Sequence, residues 1–218
     1  MGACCSSQVR DQIIRNTSSS IALETEQSSR EGANFGKTSS LFEFVTSGIF
    51  SVDFPSFNVA SLSMIKSSIP IVFARYTNKA NLNEIKYPLI SMNWSGNSCV
   101  CIFSSTRILD IKYLREFDTT KLILNIFQFL QGNSSCSRIL VLSELADRIV
   151  GALNGLGLSA ECGSLSSHFS QYRIIVITTE QEIDEVHYAH FRHFTNNGGA
   201  IAVFYYNSYE KINKFLKR

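Results

Sequence analysis

Residues 173–206 read RIIVITTEQEIDEVHYAHFRHFTNNGGAIAVFYY, and the order of elements in this stretch decides the fold. Arg173–Thr178 is a run of β-branched residues without polar alternation, the pattern of a strand covered on both faces. Thr179-Glu180-Gln181-Glu182 then has the form of a capping box. Asp184 and Glu185 follow it, with Arg192 and His193 in the closing turn, so acid comes first and base last along the dipole of a helix. Asn197-Gly198-Gly199 ends that helix, and Ala200–Tyr206 is a second apolar strand. Strand, helix and strand joined by short connections form a βαβ unit, whose strands run parallel.

The pattern continues upstream. Ile139–Leu142 reads as a buried strand, and Ser143 can cap a helix whose Leu145, Ile149, Ala152 and Leu153 share a face. Leu158–Cys162 is a short strand. Gly151, Gly155 and Gly157 fall at the end of a helix, so they serve as cap and turn residues and offer no helix start to a phosphate. A longer helix is expected after Asp118 or Thr119, with Leu122, Ile123, Ile126, Phe127, Phe129 and Leu130 as its apolar face and Gly132 past its end. Before it, Ile69–Ala74, Tyr87–Trp94 and Ser98–Ser104 read as strands, the last two joined through Ser95-Gly96-Asn97 in a hairpin. Ser40-Leu41-Phe42-Glu43 is another capping box, opening a short helix that stops at Gly48, and Ser208–Lys217 can form a final helix. The expected fold class is α/β: a parallel sheet with helices on both faces, preceded by a small β-hairpin region. Residues 40–218 are expected to form one domain, with a β-rich part at 40–115 and a βαβ part at 116–218. Residues 6–39 are rich in Ser, Thr, Asn, Gln and Glu, and residues 1–39 read as an acylated disordered tail.

The chain has 218 residues, 44% hydrophobic and 17% charged, with a net charge of +2, so it lacks the basic field of a nucleic-acid binder. No stretch reaches the roughly 18 to 20 apolar residues of a membrane-spanning helix. Residues 1–20 lack the apolar segment of a secretory signal, and an intracellular protein with reduced thiols is expected. Met1-Gly2-Ala3-Cys4-Cys5-Ser6 fits N-myristoylation of Gly2. One myristoyl chain binds a bilayer only marginally, so a second signal is required. Arg10, Arg15, Arg30 and Lys37 are matched by Asp11, Glu24, Glu26 and Glu31, which leaves palmitoylation of Cys4 and Cys5 as that signal. These acyl chains would hold the protein at the cytoplasmic face of the plasma membrane.

The blocks Phe44-Val45-Thr46-Ser47-Gly48, Val52-Asp53-Phe54-Pro55, Ile69-Pro70-Ile71-Val72, Leu89-Ile90 and Cys99–Phe103 come in an order similar to the N-terminal region of the TRP-channel-associated factors. Leu122–Leu130, Ile139–Leu142, Ile174–Ile177 and His193–Ile201 continue the likeness, which spans about residues 40–207 and rests on apolar pattern and punctuation. The same module resembles the leading domain of enhancin-like metallopeptidases. The resemblance implies a class I glutamine-amidotransferase-like fold acting as a non-catalytic module that binds protein partners, ion channels among them. The family's zinc helix carries His-Glu-x-x-His, and these residues contain no such motif. The chain could therefore also be a truncated member of that peptidase family.

An amidotransferase needs a nucleophilic Cys on a tight turn between strand and helix. The turns after the strands carry Ser143, Thr179 and Asn207 instead, and Cys162 before Gly163 lacks the preceding glycine of an elbow. His187, His190 and His193 drift by about 120° around their helix, so they do not converge on one metal ion. His190 is expected on the apolar face, with His187 and His193 toward solvent. No catalytic residue, metal or cofactor is expected. Ser143, Thr179, Tyr206 and Asn207 mark a crevice at the strand ends, the place where α/β sheets bind ligands. A degenerate amidotransferase that keeps a small-molecule pocket is the alternative reading.

Overall fold

The computed structural model describes residues 35–55, 62, 68–77, 84–95, 98–179 and 183–206. Helix α1 (Phe35–Thr46) precedes strands β1 (Ser68–Thr77), β2 (Glu84–Ser95) and β3 (Ser98–Phe103). A 3-10 turn (Thr106–Leu109), α2 (Ile111–Leu114) and α3 (Phe117–Gln131) lead to β4 (Arg138–Leu142). Then come α4 (Ala146–Gly155), β5 (Ser159–Cys162), a second 3-10 turn (Phe169–Gln171), β6 (Ile174–Thr178), α5 (Glu185–Asn196) and β7 (Ala200–Phe204).

The strands make one mixed sheet in the order β1-β2-β3-β7-β6-β4-β5. The pairs β1/β2 and β2/β3 are antiparallel, and the four remaining pairs are parallel. The expected hairpin is present as β2 and β3, with Ser95 opposite Ser98. It is not a region ahead of the parallel sheet, however. Strand β3 pairs with β2 on one side and β7 on the other, so the described strands of the two expected parts share a single sheet.

Alternate residues of β4, β6 and β7 enter two cores, while the edge strand β5 adds only Ala160 to one of them. Cys99, Cys101, Phe103, Ile139, Val141, Ile174, Val176 and Phe204 face α1, α3 and α4. Leu140, Leu142, Ile175, Ile177, Ile201 and Val203 face Phe169 and the Phe191 and Phe194 of α5. Burial on both sides explains why these strands read as continuous apolar runs. At the β3/β7 junction Phe103 and Phe204 stack with ring centroids 4.2 Å apart.

The helix starts depart from expectation. Helix α1 begins at Phe35, so Ser40 lies inside it and the expected boundary between tail and domain falls within a helix. Once Leu41 and Val45 pack into the core, a helix extends cheaply in both directions, whatever box the local sequence offers. Asp118 and Thr119 do not cap α3, whose cap position is Glu116. They reach across to the preceding loop: the Asp118 carboxylate accepts from Phe50 N and Ser51 N at 2.8 and 2.9 Å, and Thr119 Oγ1 accepts from Asp53 N at 3.1 Å. Helix α4 starts at Ala146 with Leu145 at its cap, not at Ser143. Helix α5 is capped by Asp184, which accepts from His187 N at 2.8 Å, and not by Thr179. Asp118, Thr119 and Thr179 serve tertiary partners instead, and Ser143 accepts from both Thr178 and Leu145 N. Residues 96–97, 180–182 and 207–218, including the expected final helix, lie outside the described residues.

Past the end of α5 the expectation holds. Gly198 has φ +87°, the left-handed region that side chains avoid. A Cβ on Gly199 would meet Phe194 ring atoms at 2.4–2.6 Å, so its lack of a side chain seats that ring. Arg173 secures the same corner: its Nε donates to Gln131 O at 2.9 Å and its guanidinium to Gly198 O.

Gly198→Ala should lower stability by about 1–2 kcal/mol through left-handed strain. Phe204→Ala should lower it by roughly 3–5 kcal/mol through loss of a buried ring. Urea unfolding of the full chain followed by circular dichroism measures both.

Candidate functional site

In a parallel sheet the connecting loops part where neighbouring strands send their chains to opposite faces, and a crevice opens there. Here that point lies between β4 and β6. Strand β4 leads to α4 on one face, and β6 leads to α5 on the other. Ser143 follows β4, Thr178 and Thr179 close β6, and Tyr205-Tyr206 follow β7. The residues expected to share a crevice are therefore brought together at one edge, with Asn207 outside the described residues.

The hydroxyls of Ser143, Thr178 and Thr179 are committed to one another and to backbone. Thr178 Oγ1 donates to Ser143 Oγ at 2.7 Å, and that oxygen also accepts from Leu145 N at 2.9 Å. Thr179 Oγ1 donates to Tyr206 O at 2.5 Å and accepts from Tyr206 N at 2.7 Å, while Thr179 N donates to Phe204 O. Thr178 and Thr179 are buried and Tyr206 half-buried. Sequence reading missed Thr178, because as the last residue of an apolar run it reads as strand. The pair Thr178-Thr179 is the available signal: consecutive strand residues point to opposite faces, so one hydroxyl meets each neighbouring loop.

Beside them, Tyr205 N donates to Phe103 O and Thr106 N to Tyr205 O, each at 2.9 Å, so the β3 and β7 ends are also joined. The Ser104 hydroxyl is buried without a hydrogen-bond partner among the described residues. Asp110, past the first 3-10 turn, pairs with Arg148 of α4.

The thiols of Cys99, Cys101 and Cys162 are held in their protonated form. Burial pushes Cys99 up to about 12 and Cys101 well above its ordinary value. Cys162 is exposed, and its Sγ lies 3.3 Å from Asp147 Oδ1. Desolvation and then the Asp147 carboxylate raise its pKa, the reverse of what activates a nucleophile. The histidines of α5 go to separate partners. His187 Nδ1 sits 2.6 Å from Asp184 Oδ1 and His193 Nε2 3.0 Å from Asn197 Nδ2, and the His190 ring meets Phe169 edge-on at 6.5 Å. His190 is exposed, not on the buried face as expected. Phe191 and Phe194, three apart, take that face because their larger apolar area gains more from burial. Among the described residues no group of three His, Cys, Asp or Glu side chains is placed to hold a metal ion. Gly2, Cys4 and Cys5 lie outside the described residues. No described helix is long and apolar enough to cross a membrane.

The fold is thus a mixed α/β sheet of seven strands, mostly parallel, with helices on both faces. No family model and no curated protein matches the chain. Among solved structures it is similar to the IMPa metallopeptidase from Pseudomonas aeruginosa, with a TM-score of 0.63 and 10% identity over 84% of this chain. The same metallopeptidase in complex with T-antigen matches with a TM-score of 0.62 and 12% identity over 83% of this chain. The chain spans 21% of the length of the solved chain in both cases. At such identity the likeness is one of fold.

Ser143→Ala removes the partner of both Thr178 and Leu145 N, and it should lower stability by about 1–2 kcal/mol. Thr179→Val strands the Tyr206 N–H and should cost about 1–3 kcal/mol. Denaturant midpoints of the two variants beside the parent chain check both values.

Proposed function

We propose that this chain is a lipid-anchored, non-catalytic interaction module at the cytoplasmic face of the plasma membrane. Myristate on Gly2 and palmitate on Cys4 and Cys5 supply the anchor, and the α/β body supplies a surface for a protein partner, such as an ion channel. The observation that carries the non-catalytic half is the mutual pairing of Ser143 with Thr178 and of Thr179 with Tyr206. A catalytic or ligand-binding crevice keeps polar groups free to meet its substrate. Here the Ser143, Thr178 and Thr179 hydroxyls knit the loops together. The high pKa of each shifted thiol supports the same reading. The sheet, helices on both faces, is compatible with an amidotransferase-like class from which the nucleophile elbow is missing. No cofactor and no nucleic acid enter this function.

The likeness to IMPa favours a second reading. In it the body is one unit of an enhancin-like metallopeptidase relative, separated from the zinc-binding part of such a protein. The two readings differ at the amino end, since the second requires no acyl chain.

Membrane fractionation separates them. The intact chain should pellet with membranes from its native cells, Gly2→Ala should be soluble, and the double change Cys4→Ser, Cys5→Ser should be mostly soluble, because one acyl chain holds only weakly. An intact chain that stays soluble, with an unmodified amino end by intact mass, would exclude the anchor.

A further inference from the structure

The edge of a sheet is a row of backbone donors and acceptors ready to take another strand, and folded proteins carry devices that prevent it. Strand β5 ends this sheet beside β4. Its hydrogen bonds show which of its groups lie at the edge. Gly163 N donates to Val141 O, so residue 163 turns its backbone toward β4. Backbone groups alternate sides along a strand, so Ser159 and Glu161 face β4 as well, while Ala160 and Cys162 face outward. Shortness is one protective device, and β5 has four residues. Proline is absent from it, however, and its one charged residue, Glu161, is taken up by Arg138 of β4 at 2.5 Å.

Helix α4 supplies a further device. Asn154, in its last turn, carries a carboxamide with the donor and acceptor of a peptide group. Its Oδ1 accepts from Ala160 N at 2.8 Å, and its Nδ2 donates to Ala160 O at 3.0 Å. Both outward groups of one edge residue are thus taken by one side chain, as the backbone of a further strand would take them. The turn between helix and strand fixes this geometry: Gly157, at φ +80°, donates to Asn154 O at 2.9 Å, and Leu158 N donates to Leu153 O at 3.1 Å. Asparagine forms helix less well than alanine, and Asn154 is exposed, so neither propensity nor burial accounts for it.

We propose that the Asn154 carboxamide locks the β5 edge, holding the place at Ala160 that a strand from a second copy of this chain would take. A second copy fits this place because two outward-facing Ala160 residues, related by a two-fold axis, exchange both hydrogen bonds as one antiparallel pair. The lock keeps the sheet at seven strands. It operates whether or not the amino end is acylated.

The test compares the full-length chain, made in bacteria without acyl chains, with Asn154→Ala and with Asn154→Ala combined with Ala160→Pro. Alanine keeps the helix and removes the amide. Proline removes the outward N–H of residue 160, a change that edge strands tolerate. In sedimentation velocity across a range of concentrations, Asn154→Ala should self-associate about tenfold more tightly than the parent, the weight of the two hydrogen bonds regained. The double variant should return to the behaviour of the parent, and circular dichroism confirms that both variants are folded. Hydrogen exchange gives a second reading from the single variant alone: the Ala160 amide should exchange fast when dilute and slowly again when concentrated. An Asn154→Ala chain no more associated than its parent overturns the proposal. So does association that survives Ala160→Pro, or an Ala160 amide that exchanges equally fast at both concentrations, since either places the contact away from β5.

Discussion

Cys99–Phe103 of β3 pair in parallel register with Ala200–Phe204 of β7, and the remainder of the molecule is arranged around this seam. It joins an antiparallel unit of three strands, close together in sequence, to a parallel unit built from the second half of the chain. The partners lie about 100 residues apart, so their contact closes a long loop. That entropy is recovered by burial: Phe103 and Phe204 stack on one face, and Ile201 and Val203 enter the core beneath α5 on the other. Backbone bonds from Tyr205 N to Phe103 O and from Thr106 N to Tyr205 O extend the seam beyond the strands.

The same closure shapes the carboxyl edge of the sheet. In α/β proteins that bind ligands there, loops leave the strand ends apart and polar groups face the gap. In this chain the loops after β4, β6 and β7 are tied by side-chain hydroxyls, with Thr178 and Thr179 reaching to opposite neighbours. Each tie satisfies groups that would be costly to bury unpaired. The clamp of Asp118 and Thr119 on residues 50–53 is a second instance of the habit. At the start of α3 these side chains serve a distant loop, whereas Asp184 caps its own helix.

How much was legible in the residues follows from this habit. Strands β1 to β7 and helices α3, α4 and α5 can be read from apolar runs and periodicity, because burial on one or two faces leaves its trace in each residue's polarity. Gly132 and Gly198 mark helix ends because a positive φ is a local demand that few residues other than glycine meet. Helix starts at Ser143 and Thr179 were misplaced because a capping signal records what a side chain can do and its tertiary partner decides what it does, and the start at Ser40 because α1 begins at Phe35. His190 was assigned to the buried face by spacing alone, whereas the aromatic bulk of Phe191 and Phe194 set the rotation of α5.

The sequence by itself determined the α/β class, the order of elements and the gathering of Ser143, Thr179 and Tyr206 at one end of the strands, because all three follow from local polarity and chain direction. Tertiary structure alone decided that hairpin and βαβ units share one sheet, that Thr178 meets Ser143, and that Thr179 meets the Tyr206 backbone. Pairing between β3 and β7, and between Thr178 and Ser143, depends on distances across the fold that no local pattern encodes.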